Sequence, residues 1–286
     1  MTLLTLARRA LTGEASVARG SAVVAAVSGG PDSMALLHVL SRLGPKLGIV
    51  VHAHGVDHGL RREASGELDA AEAFAKHVGV PFGRTAVAVA RGGNLQARAR
   101  TARYAALAAA ARAVGAQSIA TAHHADDRAE TVLLRLMRGA GPRGLAVLPG
   151  RAPLAGAPAL ELVRPLLRAR RASVIAHVER HAVPFAADPS NADPRYLRTR
   201  VRRDLLPLLE ELSPRIVEHL VALADQLLAL GGDSPSGFPL PRSTQGALAD
   251  LVRSRSTTAR VWLAGGLVVT VDPKARPGAR VEREET

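Results

Sequence analysis

The chain has 286 residues, 47% of them hydrophobic, enough to bury one large core and a smaller one. Its net charge of +13 is carried by arginine and only 2% of residues are aromatic, so its surface attracts a polyanion but offers little base stacking. The absence of cysteine excludes disulfides, thiolate zinc sites and iron–sulfur clusters and fits a reducing cytoplasm, and no apolar run reaches membrane length. The opening MTLLTLARRALTGE reads as a first helix, not a signal. Ala22 to Val27 is an apolar, β-branched run typical of a buried strand; Ser28-Gly29-Gly30 makes a tight turn, and Pro31 falls at the first helical position. Gly48 to His54 reads as a second strand, followed by the polar turn VDHGLRRE. Glu67 to Val78 reads as a helix ended by Gly79, and Phe82 to Val89 as a strand. Gly92-Gly93-Asn94 opens a long helix through Val114, ended by Gly115. Ser118 to Ala122 is a short strand and about Arg128 to Arg138 a helix.

This alternation predicts an α/β fold, a parallel twisted sheet with helices on both faces and ligands at the carboxyl ends of the strands. From Gly139 the texture is loop-rich. Glu161 to Leu167 reads as an edge strand and Arg170 to His181 as a helix; between Glu161 and Asp204 ten arginines face five acids. Pro207 to Leu230 has amphipathic helical spacing, GGDSPSGFPLP is a linker, VWLAGGLVVTVDP one hairpin, and the tail beyond Lys274 reads as disordered. The division expected is a domain over 1–212 and a small, mainly helical C-terminal region over 213–286.

Three constellations carry chemistry. The first is SGGPDS at Ser28. A strand, glycine turn and helix start aims backbone N–H groups and a positive helix end at one point, which suits phosphate; Ser28 and Ser33 add hydroxyls and Asp32 a metal-binding carboxylate. Neither GxxxxGK[ST] nor GxGxxG is present, and ordinary turn chemistry explains many of the same residues. The second is HHADDRAET at His123. The adjacent His123 and His124 make a poor two-ligand set for a transition metal, and the D-x-x-E spacing of Asp127 and Glu130 is that of a helix capping box as well as of a pair that could grip an ammonium or magnesium ion. The third is NLQARARTARYAAL, where Arg100 and Arg103 share one helix face beside Tyr104, either as a solvated basic face or as an anion contact.

Together with VDHGLR at Val56 and DPSNADPRYLRTRVRRDLLPLL at Asp188, these motifs resemble, in order and spacing, the tRNA(Ile)-lysidine synthetases, within the N-type ATP pyrophosphatases that share SGGxDS. The likeness covers about residues 20 to 212. It implies an adenine nucleotide α-hydrolase-like, Rossmann-like fold and a cytoplasmic ligase. Members adenylate the wobble cytidine of a CAU-anticodon tRNA(Ile) with ATP and Mg2+, releasing pyrophosphate, and L-lysine then displaces AMP. On this resemblance Ser28, Gly29, Gly30, Pro31 and Ser33 cradle the pyrophosphate part of ATP, and Asp32 serves magnesium and adenylation. His58 and Arg61 lie near the nucleotide. Arg103, Asp127 and Glu130 belong to the reaction centre, the acids holding the lysine amines and Arg103 facing an anion, while His123 and Asp126 shape the pocket. Arg195, Arg198, Arg200, Arg202 and Arg203 contact tRNA. A homodimer stays open. Many relatives carry Gln at the position of Arg128 and His at that of Gly55. A thiolase-type tRNA enzyme of the same superfamily and a non-catalytic basic RNA-binding protein are the competing readings; cytidine thiolases rely on cysteine, which this chain lacks.

Overall fold

A computed structural model describes residues 1–57, 59, 63–88, 95–186, 196–232, 259–263, 267–271 and 279–283. The elements run α1 (Leu3–Thr12), β1 (Ala22–Val27), α2 (Pro31–Leu47), β2 (Val50–Asp57), α3 (Glu63–His77), β3 (Phe82–Ala86), α4 (Leu95–Ala113), β4 (Ser118–Ala120), α5 (Ala125–Leu136) and α6 (Pro142–Leu145). There follow β5 (Arg151–Leu154), β6 (Ala157–Val163), α7 (Arg171–Arg180), α8 (Leu197–Arg200), a π-turn over Val201–Leu205, α9 (Leu206–Leu212), α10 (Ile216–Gly232), β7 (Ala259–Leu263), β8 (Leu267–Val271) and β9 (Ala279–Arg283). Two compact units result, one of residues 1–140 and 147–224, the other of 141–146 and 225–286. The division therefore falls inside α10, beyond the boundary expected after Leu212.

In the first unit the sheet order is β3-β2-β1-β4-β6-β5, with five strands parallel and β5 antiparallel to β6. Pleating sends alternate residues of β1 to opposite faces. Val23, Ala25 and Val27 pack in one core with α1, α2, α3 and α7, whereas Val24 packs with Tyr104, Leu107 and Ala111 of α4 on the other side. Helices thus cover both faces, as the alternating pattern implied. The chain moves outward from β1 through β2 to β3 and then returns to lay β4 on the opposite side of β1. The connections leaving the carboxyl ends of β1 and β4 diverge there, and in open α/β sheets this is where ligands bind.

Three expectations need correction. β6 is not an edge strand: it lies between β4 and β5, and the segment read as loop supplies β5 through a turn in which Gly156 adopts φ +81°. The prolines that argued for a loop are tolerated because β5 is itself the edge. The amphipathic run from Pro207 divides into α9 and α10 at Ser213, whose extended backbone (φ −146°, ψ 94°) is what a following proline imposes. The charged tail read as disordered contributes β9, antiparallel to β8 with Val281 opposite Val269. The hairpin expected around Trp262 is β7–β8, with Trp262 opposite Val268. Among the described residues no helix is long and apolar enough to cross a membrane.

Candidate active site at the sheet switch point

The loop after β1 is closed by its own serines. Ser33 Oγ accepts the Ser28 N–H at 3.1 Å, lies 3.2 Å from Ser28 Oγ and donates to the Gly30 carbonyl at 2.9 Å. Gly29 has φ +81°, and a Cβ there would come within 2.8 Å of the Glu67 carbonyl oxygen of α3. Gly30 is the N-cap of α2, has extended backbone (φ −74°, ψ 161°) and brings no side-chain cap. The first N–H groups of α2, which no helix satisfies internally, are left to face this loop.

The loop after β4 begins with Thr121, whose Oγ1 lies 2.9 Å from His123 Nδ1. Burial pushes the His123 pKa down to about 3, and Arg164, Arg100 and Arg198 add to this against the pull of Asp127, so His123 is neutral. His124 is wholly buried and caps α5: its Nδ1 accepts the Asp127 N–H at 3.3 Å while Asp127 Oδ2 accepts the His124 N–H at 3.1 Å. The capping box is therefore His124 with Asp127, not Asp127 with Glu130, and α5 starts earlier than the expected Arg128. His124 Nε2 points across the switch point, 3.8 Å from Asp32 Oδ2 and 3.5 Å from Asp127 Oδ2. Burial opposes a charge on His124, but Asp32, Asp127 and Asp126 outweigh it and raise its pKa.

Asp126 turns the other way. It accepts the Arg171 N–H at 2.7 Å and pairs with Arg170 at 3.2 Å, stitching the start of α7 to α5. Arg171 then reaches back to Asp32 Oδ2 at 3.3 Å.

Asp127 and Glu130 are both engaged by arginines from the segment after Tyr196. Arg198 reaches Asp127 Oδ1 at 3.0 Å and Glu130 Oε2 at 2.8 Å; Arg202 reaches Asp127 Oδ1 at 3.2 Å and both oxygens of Glu130. Burial tends to raise the Asp127 pKa, but His124 and Arg198 hold it below the usual carboxylate range. Two of the arginines read as tRNA contacts are thus folded onto the two acids read as lysine contacts. Arg200 and Arg203 are exposed, Arg200 lying 3.7 Å from Asp204. Arg103 lies 5.3 Å from the centroid of the Tyr104 ring and Arg100 5.0 Å. His58, Arg61 and Arg195 lie outside the described residues.

A family model described as the PP-loop domain matches residues 4–209. The tRNA(Ile)-lysidine synthase of Methylobacterium nodulans is 39% identical over 279 residues, which cover 92% of this chain and 79% of that protein. The same enzyme of Novosphingobium aromaticivorans is 44% identical over 192 residues (67% of this chain, 58% of that one), and that of Symbiobacterium thermophilum 40% over 236 residues (79% and 48%). The chain belongs to the PP-loop family of tRNA(Ile)-lysidine synthases. It spans about half the length of the last two relatives. A solved U34-tRNA thiolase of Methanococcus maripaludis shares the fold, with a TM-score of 0.65 at 19% identity over 79% of this chain and 80% of that one.

Membership gives the site features a context. The geometry of the Ser28–Ser33 turn fits a magnesium ion held with ligand phosphates: Asp32 Oδ1 is buried without a hydrogen-bond partner, while Oδ2 faces Arg171 and His124. A magnesium site needs only one or two carboxylates when phosphates complete the shell; among the described residues no group of three or more His, Cys, Asp or Glu is arranged to hold a metal by itself. The departures from the family pattern have structural homes. A Cβ on Gly55 would meet Leu68 Cδ2 at 2.6 Å and Phe82 Cζ at 3.1 Å, so a larger residue there would need both side chains to move. Arg128 is fully buried and donates through Nε to the Val147 carbonyl at 3.0 Å, while Arg164 holds the Pro149 carbonyl at 2.6 Å. The residues that sequence reasoning missed are His124 and Arg171. A histidine is not among the usual helix N-caps, and Arg171 is one of many arginines, so neither stood out.

Proposed function

We propose that this protein is a tRNA(Ile)-lysidine synthetase: a ligase that uses ATP to adenylate the O2 of the wobble cytidine in a CAU-anticodon tRNA(Ile), releasing pyrophosphate, and then joins the ε-amine of L-lysine to C2 with release of AMP. The product pairs with adenine, which changes both codon and amino-acid identity. The observation that carries this reading is the meeting of the two motifs at the switch point, where Asp32 of the PP-loop and Asp127 of the second motif share His124 between them.

In this reading Ser28, Gly29, Gly30, Pro31 and Ser33 hold the polyphosphate, and the amides at the start of α2 take up charge that builds on departing pyrophosphate. Magnesium, when bound through Asp32, polarises the phosphates and neutralises their charge. Asp127 and Glu130 orient the lysine so that its ε-nitrogen meets C2, and the attacking amine sheds a proton as AMP leaves. His123, neutral by burial, borders the pocket, and Arg103 offers a cation to an anionic part of the nucleotide or tRNA. Arg200 and Arg203, with Arg195, meet the tRNA backbone. The thiolase-type alternative has the shared fold in its favour, but the thiolase of like fold carries a [4Fe-4S] cluster and this chain has no cysteine to ligate one.

The deciding experiment is transfer of radiolabelled lysine to a CAU-anticodon tRNA(Ile) transcript in the presence of ATP and Mg2+. Label at the wobble cytidine, matched by pyrophosphate release, is the expected result. A folded protein that binds ATP yet transfers no lysine removes this function.

A further inference from the structure

We propose that Arg198 and Arg202 form a latch on the lysine subsite, occupying in the tRNA-free protein the carboxylate oxygens that an incoming ammonium must take, and that the tRNA backbone releases them. The inference rests on the assignment of Asp127 and Glu130 to lysine.

The Glu130 side chain is 1% exposed, and both of its oxygens are engaged by guanidinium nitrogens. A buried carboxylate cannot be left without a counter-cation; breaking such a pair from one side is strongly destabilising. An ammonium therefore cannot be added to the site as it stands, since two cations already face two acids. It can only be exchanged for one of them. Lysine binding and the present ion pairs are alternatives on the same oxygens.

The two guanidiniums differ from their partners in accessibility. The Arg198 side chain is 46% exposed and that of Arg202 is 28% exposed, so each has a solvent-facing edge that a phosphate can reach while the other edge still touches the acids. They lie on the same short segment as the exposed Arg200 and Arg203. A polyanion approaching this segment meets four arginines and competes with Asp127 and Glu130 for two of them. Guanidinium binds phosphate and carboxylate with the same forked geometry, so the exchange conserves the kind of bond on both sides.

The backbone offers the means. Arg202 sits in a π-turn, where the Leu206 N–H reaches the Val201 carbonyl instead of the usual acceptor one residue nearer. π-turns are rare single-turn insertions that concentrate at functional positions. A return to α-helical register would rotate Arg202 relative to Arg198 and part the pair from Glu130.

Linkage makes the proposal quantitative: if tRNA binding frees the acids, it must tighten lysine binding, and lysine must tighten tRNA binding by the same factor. Lysine binding to the full chain is measured by titration calorimetry with a non-hydrolysable ATP analogue, with and without the CAU-anticodon transcript, and tRNA binding with and without lysine. The expected result is a gain of roughly 5- to 150-fold in both directions, the usual range of such couplings. Arg202→Gln should bind lysine more tightly than the wild type in the absence of tRNA and show a smaller gain when tRNA is added. A wild-type lysine affinity indifferent to tRNA overturns the latch and makes the four side chains a static brace. A folded Arg202→Gln with unchanged or weaker lysine binding overturns it as well. If that variant does not fold, the two wild-type titrations decide the matter alone. Failure here is separable from failure of the proposed function: lysine transfer with an uncoupled affinity removes only the latch, whereas no transfer removes the function itself.

Discussion

His124 Nε2 stands 3.8 Å from Asp32 Oδ2, bringing two strand-end motifs together at the point where the strand order reverses. Because Nδ1 accepts the Asp127 N–H, the proton of a neutral His124 sits on Nε2, aimed at the carboxylates of Asp32 and Asp127. One side chain thus caps α5 and sets a ring nitrogen beside Asp32. The two duties can be separated by substitution. His124→Ala loses the cap and should cost about 1 kcal/mol in urea unfolding. His124→Asn keeps a good cap but is too short to reach Asp32. Its stability should stay near the wild type while turnover falls roughly tenfold or more through lost positioning. Equal turnover in His124→Asn and the wild type would remove the positioning role.

Asp32→Ala should abolish lysine transfer while leaving tRNA affinity within a factor of about two, since the residue faces Arg171 and His124. Filter binding of labelled tRNA beside the transfer assay gives both quantities. A parallel loss of tRNA binding would mean that Asp32 organises the RNA-binding surface instead.

The two glycines of the loop should respond in opposite ways. Gly29 combines φ +81° with a Cβ position 2.8 Å from the Glu67 carbonyl, so Gly29→Ala meets both strain and collision and should destabilise by about 1–3 kcal/mol. Gly30 has ordinary extended backbone, and its Cβ would find nothing nearer than Ser28 Oγ at 3.8 Å. Gly30→Ser supplies a proper N-cap and should hold or raise the melting temperature. If phosphate lies against Gly30, the same variant loses ATP affinity, a combination that a merely structural turn would not produce.

The sheet was legible because β1, β2 and β4 are short apolar runs ended by glycine or polar turns, and the alternation of strand with helix leaves few topologies. The start of α5 was not. Its two histidines and two aspartates look like loop, and the D-x-x-E spacing drew the capping box to Asp127 and Glu130 when His124 is the cap. Strand β5 was hidden by Pro153, which only an edge strand accommodates. The arginine-rich segment announced a polyanion, yet the partners of Arg198 and Arg202 on Glu130 are 68 and 72 residues away, a pairing that only the fold can reveal. Charge density says that guanidiniums are present; it does not say which of them already has a carboxylate.

That pairing is asymmetric in burial, and the asymmetry predicts an order of stabilities. Removing Arg198 and Arg202 together leaves the enclosed Glu130 carboxyl without a counter-cation, which should cost about 3–5 kcal/mol. Glu130→Gln leaves two arginines that still touch Asp127 and can turn toward water, and should cost less than about 2 kcal/mol. Urea denaturation of the double variant and the single one gives the comparison. A larger loss in Glu130→Gln would show that the cations, not the acid, are the buried charge.

A separate group of histidines sets the acid limit of the fold. His38 Nδ1 lies 2.9 Å from His177 Nε2 between α2 and α7, and the His181 ring centroid is 4.9 Å and 4.5 Å from theirs. One neutral ring donating to another satisfies both nitrogens; two imidazolium ions could not share that contact. Burial, then His181 and Arg42, push the His38 pKa down to about 4, and burial, then His38, His181 and Arg180, do the same for His177. Since the unfolded chain takes up these protons near pH 6.5 and the folded one only near pH 4, the contribution of these two rings to stability is constant above about 6.5 and falls as the pH drops through that window. His177 is buried and His38 partly so, and a displacement from 6.5 to about 4 corresponds to at most about 3 kcal/mol per ring. Thermal melts from pH 8 to 4.5 should show a decline beginning below 6.5 that is shallower in His177→Gln, which keeps a hydrogen-bonding amide without the titration. A variant whose melting temperature falls as steeply as that of the wild type would assign the acid sensitivity to other groups, with the carboxylates around His124 the next to test.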